Sequence, residues 1–180
     1  MILRLPGYDK GMTLVETMIT MLLFSIIIAA ILATLAVARN SWQSGGSQLS
    51  VQQEARRGLN AMTEELRQLK LSTIAGVPAD GGNYSSITFQ IPQSITESGT
   101  TWSTNIQYSL GGLNSAQVLR TQDGNQRIMA NDISSLIFTR NAATPDVINI
   151  AITGQKNTFP GFTATQSNIT LDTEIKVRNQ

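Results

Sequence analysis

The chain contains neither cysteine nor histidine in its 180 residues. Without cysteine there are no disulfides, no thiolate metal sites and no thiol nucleophiles, and the redox compartment stays open. Without histidine the usual general base and the commonest metal ligand are missing, so catalysis would have to rest on carboxylates, lysine or tyrosine. Charge is also scarce. Only 14% of residues are charged, and 13 basic against 12 acidic side chains leave a net charge of +1. No global field draws such a chain toward nucleic acid. Yet 41% of the residues are hydrophobic, too many for a disordered chain. No nucleophile elbow and no glycine-rich phosphate loop is present; Gly45-Gly46-Ser47 and Gly81-Gly82-Asn83 read as turns. The expectation is a non-enzyme without a cofactor or metal, of a length that suits one compact domain and an appendage.

The apolar residues are concentrated near the start. Between Glu16 and Arg39 nothing is charged, and Thr17 to Ala38 form one apolar stretch. At about 1.5 Å per residue it makes a helix of roughly 33 Å, enough to cross a hydrocarbon core of about 30 Å. A helix apolar all round needs either lipid or a large protein around it, and a chain of this size rarely supplies the latter. A secretory signal peptide cut after Ala36-Val37-Ala38 is a further reading, but the run is longer than an ordinary signal h-region of about 7–15 residues.

Ahead of the run, Arg4, Asp9 and Lys10 lead to Gly11, then to Met12-Thr13-Leu14-Val15-Glu16. A carboxylate inside a membrane helix costs on the order of 2.5–3.5 kcal/mol at mid-bilayer, so Glu16 requires compensation. Cleavage between Gly11 and Met12 would create an ammonium four residues before Glu16, able to pair with it within one chain or between neighbours. Arg4 and Lys10 favour keeping the leader cytoplasmic, which directs the chain from Arg39 onward outward.

Lys10-Gly11 followed by Met12-Thr13-Leu14-Val15-Glu16 resembles the leader and cleavage motif of type IV pilins and type II secretion pseudopilins. That resemblance implies cutting after Gly11 by a prepilin peptidase, which also methylates the new N-terminus at Met12, where the family usually has Phe. It implies that Thr13 and Glu16 take part in subunit pairing within a filament. It further implies partners among other minor and major pilins or pseudopilins and an inner-membrane assembly platform. In the family the apex subunit lacks the glutamate, so Glu16 implies a place just below the apex. The reading kept beside it is an uncleaved, single-pass, membrane-anchored periplasmic binding domain. Intact mass of the N-terminus separates the two.

Past the run, Arg39 and Trp42 read as the membrane interface. Gly45-Gly46 weakens the helix by up to about 1 kcal/mol each relative to alanine, which predicts a kink, a melted segment or the helix end. Val51, Ala55, Leu59, Met62, Leu66 and Leu69 then form an apolar stripe at helical spacing, with the helix ending near Leu71 before Gly76 and Pro78. From Asp80 the period becomes two. Strands are expected around Ile87–Ile91, Ile106–Leu110, Val118–Thr121, Leu136–Arg140, Val147–Thr153 and Ile169–Val177, with a turn at Asp123-Gly124-Asn125. Ser94–Thr104 and Thr153–Ser167 are expected to be surface loops. Asp172 and Glu174 alternate on a strand and read as a solvated face.

The expected fold is therefore α+β: a long N-terminal helix, membrane-spanning in its first half and amphipathic in its second, packed on a mostly antiparallel sheet. The expected segments are a leader at 1–11, a transmembrane or filament-core helix at 12–38 and a periplasmic domain at 39–180. Ala55–Met62 with Glu65-Leu66-Arg67-Gln68 also resembles, more loosely, the J-type minor pseudopilins and W-type minor pilins. So does the later order of the Tyr108 strand, Leu119-Arg120, a turn containing Gln126, Ile133–Phe138 and Val177-Arg178-Asn179. Major pilins carry a C-terminal disulfide loop that this chain cannot form. The resemblance thus implies a minor subunit that primes assembly and sits in a tip complex, anchored in the bacterial inner membrane with its domain in the periplasm.

Overall fold

The computed structural model describes residues 11–97, 99–159 and 162–178. The chain divides into two compact units, Met1–Trp42 and Gln43–Gln180. One helix, α1, runs from Leu14 to Leu66 and contributes to both. No glycine or proline falls between Met12 and Ser44, so nothing in that stretch interrupts propagation. In the first unit every side chain from Met12 to Ala38 is exposed except that of Thr17, which is half-buried.

α1 continues through Gly45-Gly46 as helix, so the pair neither melts nor ends it, against that part of the sequence expectation. Propagation adds one hydrogen bond per residue fixed, so two weak formers flanked by established helix do not stop it. A Cβ built at either glycine would meet nothing within 4 Å, so neither is held there by packing.

In the second unit α1 buries Val51, Ala55, Gly58, Met62 and Leu66. Leu59, expected on the buried stripe, is only half-buried, and Gly58 occupies the seam instead. A Cβ at Gly58 would lie 2.9 Å from the Ala130 Cβ and 3.4 Å from the Ile152 Cδ1, so this glycine sets how closely helix and sheet approach. The helix stops at Leu66 rather than near Leu71. Beyond it Lys70 N–H already donates to the Gln90 carbonyl at 3.1 Å, and a single 3-10 turn at Leu71–Thr73 follows.

Nine strands follow among the described residues: β1 Ser86–Phe89, β2 Pro92–Thr96, β3 Gly99–Trp102, β4 Ile106–Gly111, β5 Gln117–Gln122, β6 Asn125–Ala130, β7 Ile133–Asn141, β8 Thr144–Phe159 and β9 Phe162–Lys176. They form a four-stranded sheet in the order β1-β4-β5-β6, a hairpin β2-β3 and a three-stranded sheet β7-β8-β9, all antiparallel. The inward faces and the α1 seam enclose one core that includes Phe89, Tyr108, Phe138, Ile148, Ile150, Ile152 and Ile175. The α+β architecture is as the sequence indicates.

Among the described residues, both expected loops are mostly strand. Ser94–Thr104 contains most of the β2-β3 hairpin, which is closed by cross-strand contacts such as Ser94 Oγ with Thr101 Oγ1 at 2.5 Å. Thr153–Ser167 continues β8 and β9 as a long ribbon. Ser- and Thr-rich sequence resembles a loop by composition, but threonine also suits a pleated surface, and cross-strand pairing decided here. Gln126, expected in a turn, lies in β6. The turn itself is Asp123-Gly124, with φ of 53° and 77°, the left-handed pair a two-residue hairpin requires.

Candidate functional site

Thr13 and Glu16 are the first of the candidate residues that the fold brings together. Thr13 precedes α1, and its Oγ1 accepts from the Glu16 N–H at 3.3 Å. In return Glu16 Oε2 accepts from the Thr13 N–H at 3.1 Å and from its hydroxyl at 3.2 Å. This is a reciprocal capping box, in which a hydroxyl residue and a glutamate three positions later satisfy amide donors at a helix start. The carboxylate also lies at the positive end of the helix dipole. Sequence reasoning singled out both residues for contacts between subunits and missed this contact within the chain. The Thr-x-x-Glu spacing before an apolar run is the signal that could have revealed it.

A Cβ built at Gly11 would meet nothing within 4 Å, so the chain's own packing places no demand for glycine there. Met12 beside it is exposed. Arg4 and Lys10 lie outside the described residues.

The apolar run is arranged for surroundings without water. Its four hydroxyls all donate to carbonyls of their own helix: Thr17 to Leu14 at 2.7 Å, Thr20 to Thr17 at 2.9 Å, Ser25 to Leu22 at 2.7 Å and Thr34 to Ala30 at 2.9 Å. Hydrocarbon offers no partner to a free hydroxyl, so internal bonding removes a cost that water would otherwise cover. Leu14, Phe24, Leu32 and Leu35 are each 60% exposed or more, and the helix is long and apolar enough to cross a membrane. Arg39 and Trp42 follow on the same helix, both exposed.

In the second unit the polar groups bind the helix to the sheets. Glu65 receives the Arg120 guanidinium Nε on both carboxylate oxygens, at 2.9 and 3.0 Å, and the Tyr108 hydroxyl at 3.0 Å. Burial, and then the Glu65 charge, push the Tyr108 phenol well above its ordinary value. Glu54 accepts from the Asn131 N–H at 2.7 Å, and Lys156 reaches Asp132 at 3.0 Å and the Ser50 hydroxyl at 3.3 Å. Arg140 is buried against carbonyls only, donating to Val77 at 3.0 Å and to Pro145 at 2.8 and 3.1 Å, and desolvation lowers its pKa. Asp80, by contrast, is held low by the Tyr84 hydroxyl and then by the Gly82 N–H. All these groups are mutually satisfied, and among the described residues no buried side-chain nitrogen or oxygen lacks a partner.

Asp172 and Glu174 border an open hollow of about 340 Å³ on the outer face of β7-β8-β9, beside Thr139, Asn149 and Ala151. Among the described residues no group of three or more acidic side chains comes together as a metal site would need.

Residues 7–32 match the family described as the prokaryotic N-terminal methylation motif. No match to the chain was found among curated proteins or among solved structures. The chain thus carries a type IV pilin-like leader. Such a leader implies processing by a prepilin peptidase and assembly with partners of the pilin type. The motif is one of structural rather than catalytic proteins, and with the apolar helix it is consistent with membrane anchoring.

Proposed function

We propose that the chain is a minor subunit, pilin or pseudopilin, of a type IV pilus or type II secretion filament, helping to prime assembly and to form the complex at its tip. The observation that carries the proposal is a capped glutamate at the head of an apolar helical run exposed at every position but Thr17, within the matched leader motif. Cleavage falls after Gly11 and methylation on Met12. Arg4 and Lys10 hold the leader in the cytoplasm, the helix spans the inner membrane once, and Arg39 and Trp42 mark its outer interface. The domain that follows lies in the periplasm and acts as an interaction module rather than an enzyme. The loose J- and W-type likeness of Ala55–Met62 and its neighbours supports a minor subunit in particular.

The capping box gives Glu16 two roles in sequence. While the subunit waits in the bilayer, Thr13 supplies the carboxylate with donors from its own chain. In the filament, the ammonium created at Met12 of a neighbour becomes a stronger partner for it. A buried charge pair persists chiefly because the unpaired alternative is worse.

Two variants test the proposal in the native host. Gly11→Val should abolish processing and leave a full-length precursor by intact mass. Glu16→Ala should be processed normally yet recover little tip complex and few filaments. Mature protein from Gly11→Val, or normal assembly from Glu16→Ala, refutes it.

A further inference from the structure

An outer strand of a sheet presents an open row of N–H and C=O groups, and native proteins guard such rows against stray pairing. In the second unit most are guarded. The outer side of β1 is bridged by Ala75, which exchanges hydrogen bonds with Thr88 at 2.8 and 2.9 Å. That of β7 is bridged by Tyr84, which does the same with Phe138 at 2.7 and 3.0 Å. β6 is six residues long, shifts register against β5 and carries Arg127. The β2-β3 hairpin opens on Pro92 and is bulged.

β9 is different. From Asn168 to Lys176 it pairs with β8 in unbroken register, without proline or bulge, and its other side meets no strand among the described residues. The Val177 N–H donates to the Asp146 carbonyl on the β8 side, at 2.9 Å. By alternation, Asn168, Thr170, Asp172, Glu174 and Lys176 turn their N–H and C=O groups to the open side. Ile169, Leu171 and Thr173 are half-buried on the inner face. Leu59 is half-buried on the flank of α1 turned away from Glu54 and Glu65. A strand laid along this edge would cover apolar surface with one face. Its other face would meet Asp172 and Glu174, which border the open hollow on the outer side of the sheet. Among the described residues neither carboxylate has a hydrogen bond or an ion pair.

We propose that the open edge of β9 is a strand-addition site. Its occupant is an extended segment of a neighbouring pilin-type subunit in which apolar residues alternate with lysine or arginine. The class of the partner rests on the filament reading above. Main-chain hydrogen bonds hold the added strand, and its cations lie directly across from Asp172 and Glu174, as opposite charges on paired strands prefer. A second copy of this chain fits less well. Two β9 strands set antiparallel about a two-fold axis at Asp172, Thr173 or Glu174 bring carboxylate against carboxylate. Centring them on Ile175 matches Glu174 with Lys176, but sets Asp172 against Arg178, whose N–H is already given to the Arg67 carbonyl at 3.3 Å.

The test uses the full chain in uncharged detergent. It is titrated with a capped peptide of about nine residues alternating valine and lysine, with the valine–glutamate counterpart, and with the lysine peptide N-methylated at its lysine amides. The lysine peptide should bind saturably and roughly ten-fold more tightly than the glutamate one, and N-methylation should abolish binding. Asp172→Lys with Glu174→Lys should reverse the preference; both side chains are exposed and unpartnered, so the fold does not depend on them. Thr170→Pro, which removes an outward N–H and spares the β8 ladder, should weaken both peptides. No saturable binding of the lysine peptide, or equal binding of its N-methylated form, overturns the strand-addition site. In the native host, a benzophenone amino acid replacing Thr170 should cross-link on illumination to a subunit that carries its own methylation-motif leader, identified by mass spectrometry. A second copy of this chain, or a protein of another class, in that product overturns the assigned occupant. A chain that stays uncut in the host yet binds the lysine peptide removes the filament reading and the pilin-type occupant, while the edge site itself stands.

Discussion

Replacing Glu65 by alanine should be among the most damaging single polar changes in the domain. The carboxylate holds the Arg120 Nε through two contacts at 2.9 and 3.0 Å and the Tyr108 hydroxyl at 3.0 Å. Its removal leaves Arg120, only 18% exposed, without an anion, and the Tyr108 hydroxyl without an acceptor. Breaking a fully buried pair by deleting one partner costs about 3–5 kcal/mol. The glutamate is itself 25% exposed, and water recovers part of that loss, which leaves about 2–3 kcal/mol. With a urea slope of about 1–3 kcal/mol per molar, the midpoint should fall by roughly 0.7–3 M. The assay is urea unfolding in detergent followed by Trp102 fluorescence in a Trp42→Phe background. Glu65→Gln, which keeps an acceptor for the tyrosine, should cost clearly less. A midpoint for Glu65→Ala within about 0.3 M of the parent would refute the claim that this cluster secures α1 to the four-stranded sheet.

Other outcomes follow from the same packing and chemistry. Tyr108 titrates higher when folded than the 10.0 of a free phenol, so its contribution is complete below about pH 10 and is lost as pH rises through the folded value; Tyr108→Phe should flatten the alkaline limb of a stability–pH curve. Gly58→Val should destabilise the domain by about 1–3 kcal/mol through overpacking against Ala130 and Ile152, and an unchanged thermal midpoint would show that the seam is not close-packed. Gly124→Val forces a β-branched residue to a φ of 77° and should cost about 1–2 kcal/mol, while Gly124→Asn should be tolerated far better in the same melt.

The helix and its two halves were legible because apolar residues either fill a run or recur every three to four positions. The inner strands were legible for the same reason at a period of two: Ile87 and Phe89, Ile106 and Tyr108, Ile148 and Ile150. Strand β6 was missed because Asn125, Gln126 and Arg127 are exposed and polar, so no alternation marks it. The β2-β3 hairpin and the outer reach of β8 and β9 were read as loops because pairing between distant segments, not local pattern, makes them strands. Gly58 was passed over because a glycine in a stripe leaves a gap in the pattern, and only the nearby Ala130 shows that the gap is the point of contact. At the N-terminus, the residues of interest were legible from Lys10-Gly11 through Glu16. The hydrogen bonds between Thr13 and Glu16 were not, because the reading paired Glu16 with an ammonium at Met12, in its own chain or a neighbour's, and passed over the Thr13 hydroxyl and amide as a helix cap.

The polar ties along α1 have a mechanical consequence. Ser50 is joined to Lys156, Glu54 to Asn131 and Glu65 to Arg120 along the buried length of the helix, and just past its end the Arg67 carbonyl accepts from the Arg178 N–H. A pull directed along the helix axis therefore loads these links together, in shear, instead of opening them one after another as peeling would. Under forced extension, survival is set by the rate of rupture rather than by equilibrium stability. A domain tethered in this way should hold against axial tension far longer than against a sideways pull of equal size.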